Sequence, residues 1–366
     1  MKVIYHCYGG AHSSVAAAGL HLGIIASEPQ PTVAELESLP YFDKNDPKDI
    51  GRVRLMGVDD LGAEVLVLGR SAAAPIVIRT LAGLAQMYGA EDAIFGDTTG
   101  CINWRMVAGG IGSRRIRVQR IGRPLVTSGT RQALTALARL VSDIRALQRQ
   151  AHRDVKGDGG QRGGDGVRAP GAILYIPAGQ RPVAESALAG GRLRKVIYHC
   201  HGSTHSSVLA AALHLGVVDA RRRPSVDEII NLKLFDRVEN DAIGTPFLCG
   251  HDEGGREVYV LGTGGHKALV TCLVNSFVAT CYRDEPPPYL VDTLTLVNTR
   301  TRVGGFASRR LGQAWGRRAA AQGLRDNFEN LVDLVHLVKV ALGGPVSPEA
   351  ARPVRPSPRP VLAGRE

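Results

Sequence analysis

Two short stretches hold the residue types that could do chemistry. They are His6-Cys7-Tyr8-Gly9-Gly10-Ala11-His12-Ser13-Ser14 and His199-Cys200-His201-Gly202-Ser203-Thr204-His205-Ser206-Ser207. A thiol, imidazoles, hydroxyls and glycine sit within nine residues of each other in both, two glycines in the first stretch and one in the second. Such a set suits a cradle for a phosphate-like anion: glycines let backbone amides turn inward, and hydroxyls and imidazoles donate to oxygen. Against a Walker A loop, G-x-x-x-x-G-K-[ST], His12 stands where the Lys belongs and Ala11 where the last Gly belongs; the second stretch has His205 and Thr204 there. Imidazole can donate to phosphate but carries only part of a charge at neutral pH. Against the phosphatase loop, H-C-x5-R-[ST], His6-Cys7 and His199-Cys200 fit, as do Ser14 and Ser207. The Arg position holds Ser13 or Ser206, which removes the bidentate clamp on phosphate. Zinc ligand types are also present, but His201 is Tyr8 in the first stretch and no fourth ligand is evident.

The elements that must position these residues are legible. Val3–Tyr5 and Val196–Tyr198 are short β-branched and aromatic runs, expected as buried strands. After each bend an alanine-rich segment reads as a helix, ending at Gly23 or Gly216. His21 and His214, near those ends, read as structural, with the imidazole favoured by the helix dipole. The repeat continues at the same shift. Thr32 with Glu35 and Ser225 with Glu228 form capping boxes. Two strand-like runs flank the turns Asp59-Asp60-Leu61-Gly62 and Asp252-Glu253-Gly254-Gly255, as hairpins do. Helices are predicted over Ala73–Tyr88 and Lys267–Tyr282, then strands near Ala93–Phe95 and Tyr289–Val297. Asn103-Trp-Arg105 and Asn298-Thr-Arg300 follow, and then the paired arginines Arg114/Arg115 and Arg309/Arg310. Both sets follow a strand end, where an open α/β sheet forms its binding rim. Each half closes on a long helical stretch, patterned in the second by Leu324, Phe328, Leu331, Leu334, Leu337 and Val338.

This order predicts an α/β chain of two tandem three-layer domains, P-loop-like or Rossmann-like, each with a mainly parallel sheet and one hairpin. The expected boundaries are 1–148 and 195–342, joined by a Gly/Arg-rich linker over 149–194 and followed by a disordered Pro/Arg tail over 343–366. Ile173–Ile176 is an apolar exception in the linker, a candidate stray strand. The related halves could pack as an intramolecular pseudo-dimer.

Formal net charge is +11, from 45 Lys+Arg and 34 Asp+Glu. The linker holds eight basic and four acidic residues and the tail four and two, so over half the excess lies outside the halves. The remainder, spread over both halves, is too small for a nucleic-acid partner to be expected. No run of about 18 apolar residues offers a membrane span. The opening MKVIYHC lacks a signal-peptide core, which makes the cytoplasm the expected location. The six cysteines form no C-x-x-C pair and read as separate thiols.

The YHC–G–HSS motif, the Asp-rich turn before E-V-x-V-L-G, and the later G-G…S-R-R together resemble a bacterial family of unknown function. Its members are found largely in spore-forming Gram-positive bacteria, as single domains of about half this length. The resemblance covers Met1–Gln148 and Lys195–Gly343 and implies a cytoplasmic protein with no established activity. The chain departs from it by its duplication. Between copies Tyr8 gives way to His201 and Gly10 to Ser203, which is expected to restrict the second loop.

The functional expectation is a phosphate-bearing small molecule, nucleotide-like and accompanied by Mg if a nucleotide, at the first strand–helix bend of each half. Gly9, Gly10, Ser13 and Ser14, with Gly202, Ser206 and Ser207 in the second copy, would hold the anion. Arg114, Arg115, Arg309 and Arg310 would cover it. If there is catalysis, phosphoryl transfer or hydrolysis is the class, with His12, Cys7, His205 and Cys200 as its residues. The rival expectations are a non-catalytic paired interaction module and a His/Cys metal site.

Overall fold

A computed structural model describes residues 1–89, 92–114, 119–156, 173–176 and 194–343. The chain divides into two compact units. The first is Met1–Arg194 with Gly244–Pro246 and Thr263–Pro288; the second is Lys195–Ile243, Phe247–Gly262 and Tyr289–Glu366. The Pro/Arg tail from 344 onward, and the linker apart from 149–156, 173–176 and 194, lie outside the described residues.

The first repeat runs β1 (Lys2–Cys7), α1 (Ser13–His21), α2 (Val33–Ser38), β2 (Val53–Val58), β3 (Glu64–Gly69), α3 (Ala74–Tyr88), β4 (Ala93–Asp97), α4 (Trp104–Arg114) and α5 (Gln119–Lys156). β5 (Ile173–Ile176) completes its sheet, in the order β2-β3-β1-β4-β5. β1 lies between β3 and β4 and is parallel to both, whereas β2 and β5 are antiparallel edges. The candidate stray strand thus closes one edge of the sheet, with Ile173 opposite Gly96 and Ile176 opposite Ala93. β1 is buried on both faces because it is central and parallel, which is why its sequence is a continuous apolar run rather than an alternation. Val3 and Tyr5 face a core shared with Val15 and Ala18 of α1 and Leu134, Leu137 and Ile144 of α5. Ile4, Leu66 and Phe95, on the opposite parity, are equally buried. At roughly 1.5–3 kcal/mol for each large apolar side chain, these layers fix the strand ends from which the bends project.

The second repeat follows the same order: β6 (Val196–Cys200), α6 (Ser206–His214), α7 (Val226–Ile230), β7 (Pro246–His251), β8 (Glu257–Gly262), α8 (Lys267–Cys281), β9 (Tyr289–Asp292), α9 (Thr299–Leu311), α10 (Ala314–Asp326) and α11 (Phe328–Ala341). Its sheet is β7-β8-β6-β9, with β6 parallel to β8 and β9. Both capping boxes form, Thr32 with Glu35 and Ser225 with Glu228. The strand predicted over Tyr289–Val297 stops at Asp292, because the Asp292 carboxylate accepts from the Leu294 amide and turns the chain into a short 3-10 segment. The closing helix is two helices meeting at Asn327. Its buried stripe is Leu324, Phe328, Leu331, Val335 and Val338, with Leu334 only partly buried and Leu337 exposed. Among the described residues no helix is long and apolar enough to cross a membrane.

Candidate functional site at the strand–helix bends

The bend of the first repeat begins at Cys7, the last residue of β1, and ends where α1 opens. Gly10 adopts φ +66°, and a Cβ on it would lie 2.3 Å from the Gly69 amide nitrogen at the end of β3. Only glycine allows this approach without displacing backbone. Asn45 holds the turn from outside, its Nδ2 donating to the carbonyls of Gly9 (3.2 Å) and Gly10 (2.7 Å). The Asp43 amide donates to the Ala11 carbonyl at 3.1 Å.

This curvature gathers donors around sulfur. The Gly10 N–H donates to Cys7 Sγ at 3.0 Å, and the Ser14 hydroxyl lies 3.3 Å from it. Burial alone would push the thiol up. Hydrogen bonds from Ser14, through side chain and amide, from the Ser13 hydroxyl and from the Gly10 amide outweigh it and hold Cys7 below the ordinary thiol range. Within the bend Ala11, Ser13 and Ser14 are no more than 1% exposed, whereas Tyr8 is 54% exposed. The buried amides of Ala11 and Ser13 meet no acceptor among the described residues.

The expected direct donors are spent within the protein. His12 Nε2 is 3.0 Å from Asp43 Oδ1, and Arg123 Nε donates to Asp43 Oδ2 at 3.0 Å. Burial raises Asp43, but the bonds from His12 and Arg123 prevail and hold its carboxyl below the usual range. Ser13 Oγ is 2.9 Å from Thr98 Oγ1, which also donates to the His6 carbonyl. Ser13 and His12 therefore do not project from the bend as free side chains; each already has a partner within the protein. The N-cap of α1 is His12, which makes no side-chain capping bond.

Beside the bend, Arg70 at the end of β3 donates through Nε to His6 Nδ1 (3.0 Å) and through Nη2 to both oxygens of Asp97. Burial, opposed by Asp97 and aided by Arg70, lowers His6 to about 4. His6 is thus a neutral acceptor. Arg70 was not a sequence candidate because its counterpart, at the shift of 193, is Thr263. Asp43 and Asp236 follow Phe42 and Phe235 in sequence, and nothing local connects them to histidines 31 positions away.

In the second repeat Cys200 Sγ lies 3.1 Å from Ser207 Oγ, and His205 Nε2 lies 3.1 Å from Asp236 Oδ1. The second oxygen of Asp236 accepts from the Ser308 hydroxyl of α9. Arg309, expected to cover the bend, instead donates to Asn240, and Arg310 is exposed. Ser308 is what α9 contributes. Of the first-repeat arginines, Arg115 and the Arg114 side chain lie outside the described residues. The Asn-x-Arg pairs do helix work: Asn298 caps α9 and bonds the Gly323 carbonyl, and Arg300 pairs with Asp326.

A second polar set, at the other end of α1, was not legible as a network. Tyr5 Oη bonds His21 Nδ1 at 2.8 Å, His21 Nε2 is 2.9 Å from Asp59 Oδ2, and Gln148 donates to the same carboxylate oxygen. Tyr198, His214 and Asp252 repeat it, with Arg256 in the role of Gln148. Burial is the main influence on both imidazoles and lowers them, contrary to the dipole-favoured cation expected from sequence. Among the described residues no group of three or more His, Cys, Asp or Glu side chains is placed to hold a metal ion.

Two copies of one α/β unit, each with a cysteine, two serines and an Asp-bound histidine at its first strand–helix bend, define the class. The chain belongs to the DUF3189 family, described as proteins of unknown function, matched at residues 2–146 and again at 195–340. Comparison with curated proteins and with solved structures finds no match.

Proposed function

We propose that the bend of the first repeat is a thiol-centred site for a phosphate-bearing ligand of nucleotide type. The observation that supports this reading is a cluster of donors with a deficit of acceptors. The Gly10 amide and Ser14 hydroxyl stabilise negative charge on Cys7, while the buried amides of Ala11 and Ser13 face no acceptor at the positive end of α1. Buried amides without acceptors are rare, and an oxyanion satisfies them. In this reading the amides hold the ligand's oxygen and Arg70 supplies positive charge at the same sheet edge. Mg would accompany a nucleotide.

A catalytic form of the reading is favoured by the depressed Cys7 thiol. Cys7 sulfur would attack phosphorus, the S–P bond forming as the bond to the leaving oxygen breaks. The leaving oxygen takes up a proton, for which His12, oriented by Asp43, is the acid. Water then displaces sulfur and releases phosphate. The second repeat keeps the cysteine, serines and His–Asp pair but has Thr263 in place of Arg70, so the first repeat is the stronger site.

The test is thermal unfolding of the full chain with inorganic phosphate, pyrophosphate and ATP, each with and without Mg. At a ligand concentration of about 100 times Kd the stabilisation is about 2.7 kcal/mol, a rise of several degrees. Cys7→Ser and Arg70→Thr should diminish it. No shift by any of these anions in the wild type overturns the proposal.

A further inference from the structure

Charge counted over a whole half conceals a segment with almost no acid. Residues 299–326, which make α9 and α10, contain seven arginines, no lysine and a single aspartate. The corresponding stretch of the first repeat, 104–131, contains seven arginines and no acidic residue. The two stretches share this composition, and Arg105, Arg114 and Arg115 recur as Arg300, Arg309 and Arg310.

In the second unit the helices cross closely: a Cβ on Gly304 would lie 2.4 Å from the Ala320 amide nitrogen, and one on Gly316 would lie 2.4 Å from that of Ser308. This small-residue contact leaves the large side chains on the outside. Val303, Phe306, Leu311 and Trp315 are each more than half exposed. Arg302 and Arg310 are exposed beside them and have no ion-pair partner among the described residues. Along α9 the spacing of 302, 303, 306 and 310 places guanidinium and apolar groups on one face. A helix seated in a membrane separates its apolar face from its charges. Interleaved cations and rings instead match a chain of alternating phosphates and planar bases, which takes charge from arginine and stacking from aromatics. The first repeat shows the same pairing, with the Arg105 guanidinium 5.5 Å above the ring of Trp104, itself exposed.

We propose that the α9–α10 hairpin is a binding surface for single-stranded nucleic acid, with Arg302 and Arg310 on phosphates and Phe306 and Trp315 stacking on bases. This surface shares no residue with the bend of the first repeat and reverses the expectation drawn from whole-half charge.

The test uses the full chain and fluorescein-labelled 20-nucleotide oligo(dT) and oligo(U), read by anisotropy across a salt series. Binding at low salt should weaken linearly in log affinity against log salt. Phe306→Ala and Trp315→Ala should each weaken it about ten-fold, with unfolding temperatures unchanged because both side chains are exposed. Arg302→Gln and Arg310→Gln should each lower the salt slope by about one. Cys7→Ser, which disables the bend, should bind as wild type. Absence of binding at low salt overturns the proposal. So does binding that survives both aromatic substitutions, which would leave only a general polyanion surface. Co-sedimentation with anionic phospholipid vesicles without oligonucleotide binding would assign the surface to a membrane and also overturn it.

Discussion

The two bends share a backbone path but are built differently at three positions. Gly10, at φ +66°, abuts Gly69 with no room for a Cβ, whereas Ser203 takes φ +58° with a side chain and packs its Oγ toward Gly262. Arg70 bridges His6 and Asp97 in the first repeat; its counterpart is Thr263. Asp43 is held by the exposed cation Arg123, and Asp236 by the neutral hydroxyl of Ser308. What the pair retains is Cys, Ser, Ser and the His–Asp contact. What differs is which cations lie nearby, Arg70 and Arg123 in the first repeat and Arg309 near Asp236 in the second. Duplication has thus kept the donors and left the charge free to vary, which is the pattern expected where one copy handles an anion and the other chiefly keeps the shape.

The largest contrast should come from the buried Tyr–His–Asp sets. His21→Ala strands the Tyr5 hydroxyl and leaves Asp59 on Gln148 and backbone amides, a cost of about 4 kcal/mol. His214→Ala leaves Asp252 still paired with Arg256, so about 2 kcal/mol is expected. Urea unfolding of the full chain compares them, and equal costs would break the comparison. Acid comes next. The folded His6 value of about 4 lies below the ordinary 6.5, so the unfolded state takes the proton first. Stability should fall as pH drops from 6.5 towards 4, by roughly 3 kcal/mol in all. Arg70→Thr, which installs the second repeat's residue, should raise the His6 value and shrink that acid loss, as read by imidazole NMR titration.

Exchange of the turn residues gives a smaller effect. Gly10→Ser should cost about 2 kcal/mol, since the Cβ meets the Gly69 backbone. The reverse change, Ser203→Gly, relieves a left-handed serine and should move stability by less than about 1 kcal/mol. Similar losses from both would mean that the bends are packed alike.

The repeats, the strands and the bend itself were legible because short-range signals specify them: a β-branched run, a glycine with no alternative and a capping box. Ser14 and Cys7 lie seven positions apart across one bend, so their contact follows from the strand–loop–helix form. Asp43 meets His12, and Arg70 meets His6 and Asp97, only because β3 and β4 flank β1; no local pattern encodes that. The length of the closing helix in the second repeat was misread because Asn327 interrupts an apolar spacing that runs across it. The basic hairpin was hidden by averaging charge over each half.

The central claim is that the first bend stabilises an anion, and the Cys7 thiol reports on it directly. Alkylation of the folded full chain by iodoacetamide across pH, resolved by peptide mass spectrometry, measures the Cys7 titration. Cys7 should titrate below the ordinary thiol value of about 8.5, and pyrophosphate should slow its modification. A Cys7 that titrates at or above that value, with a rate indifferent to pyrophosphate, would contradict the account.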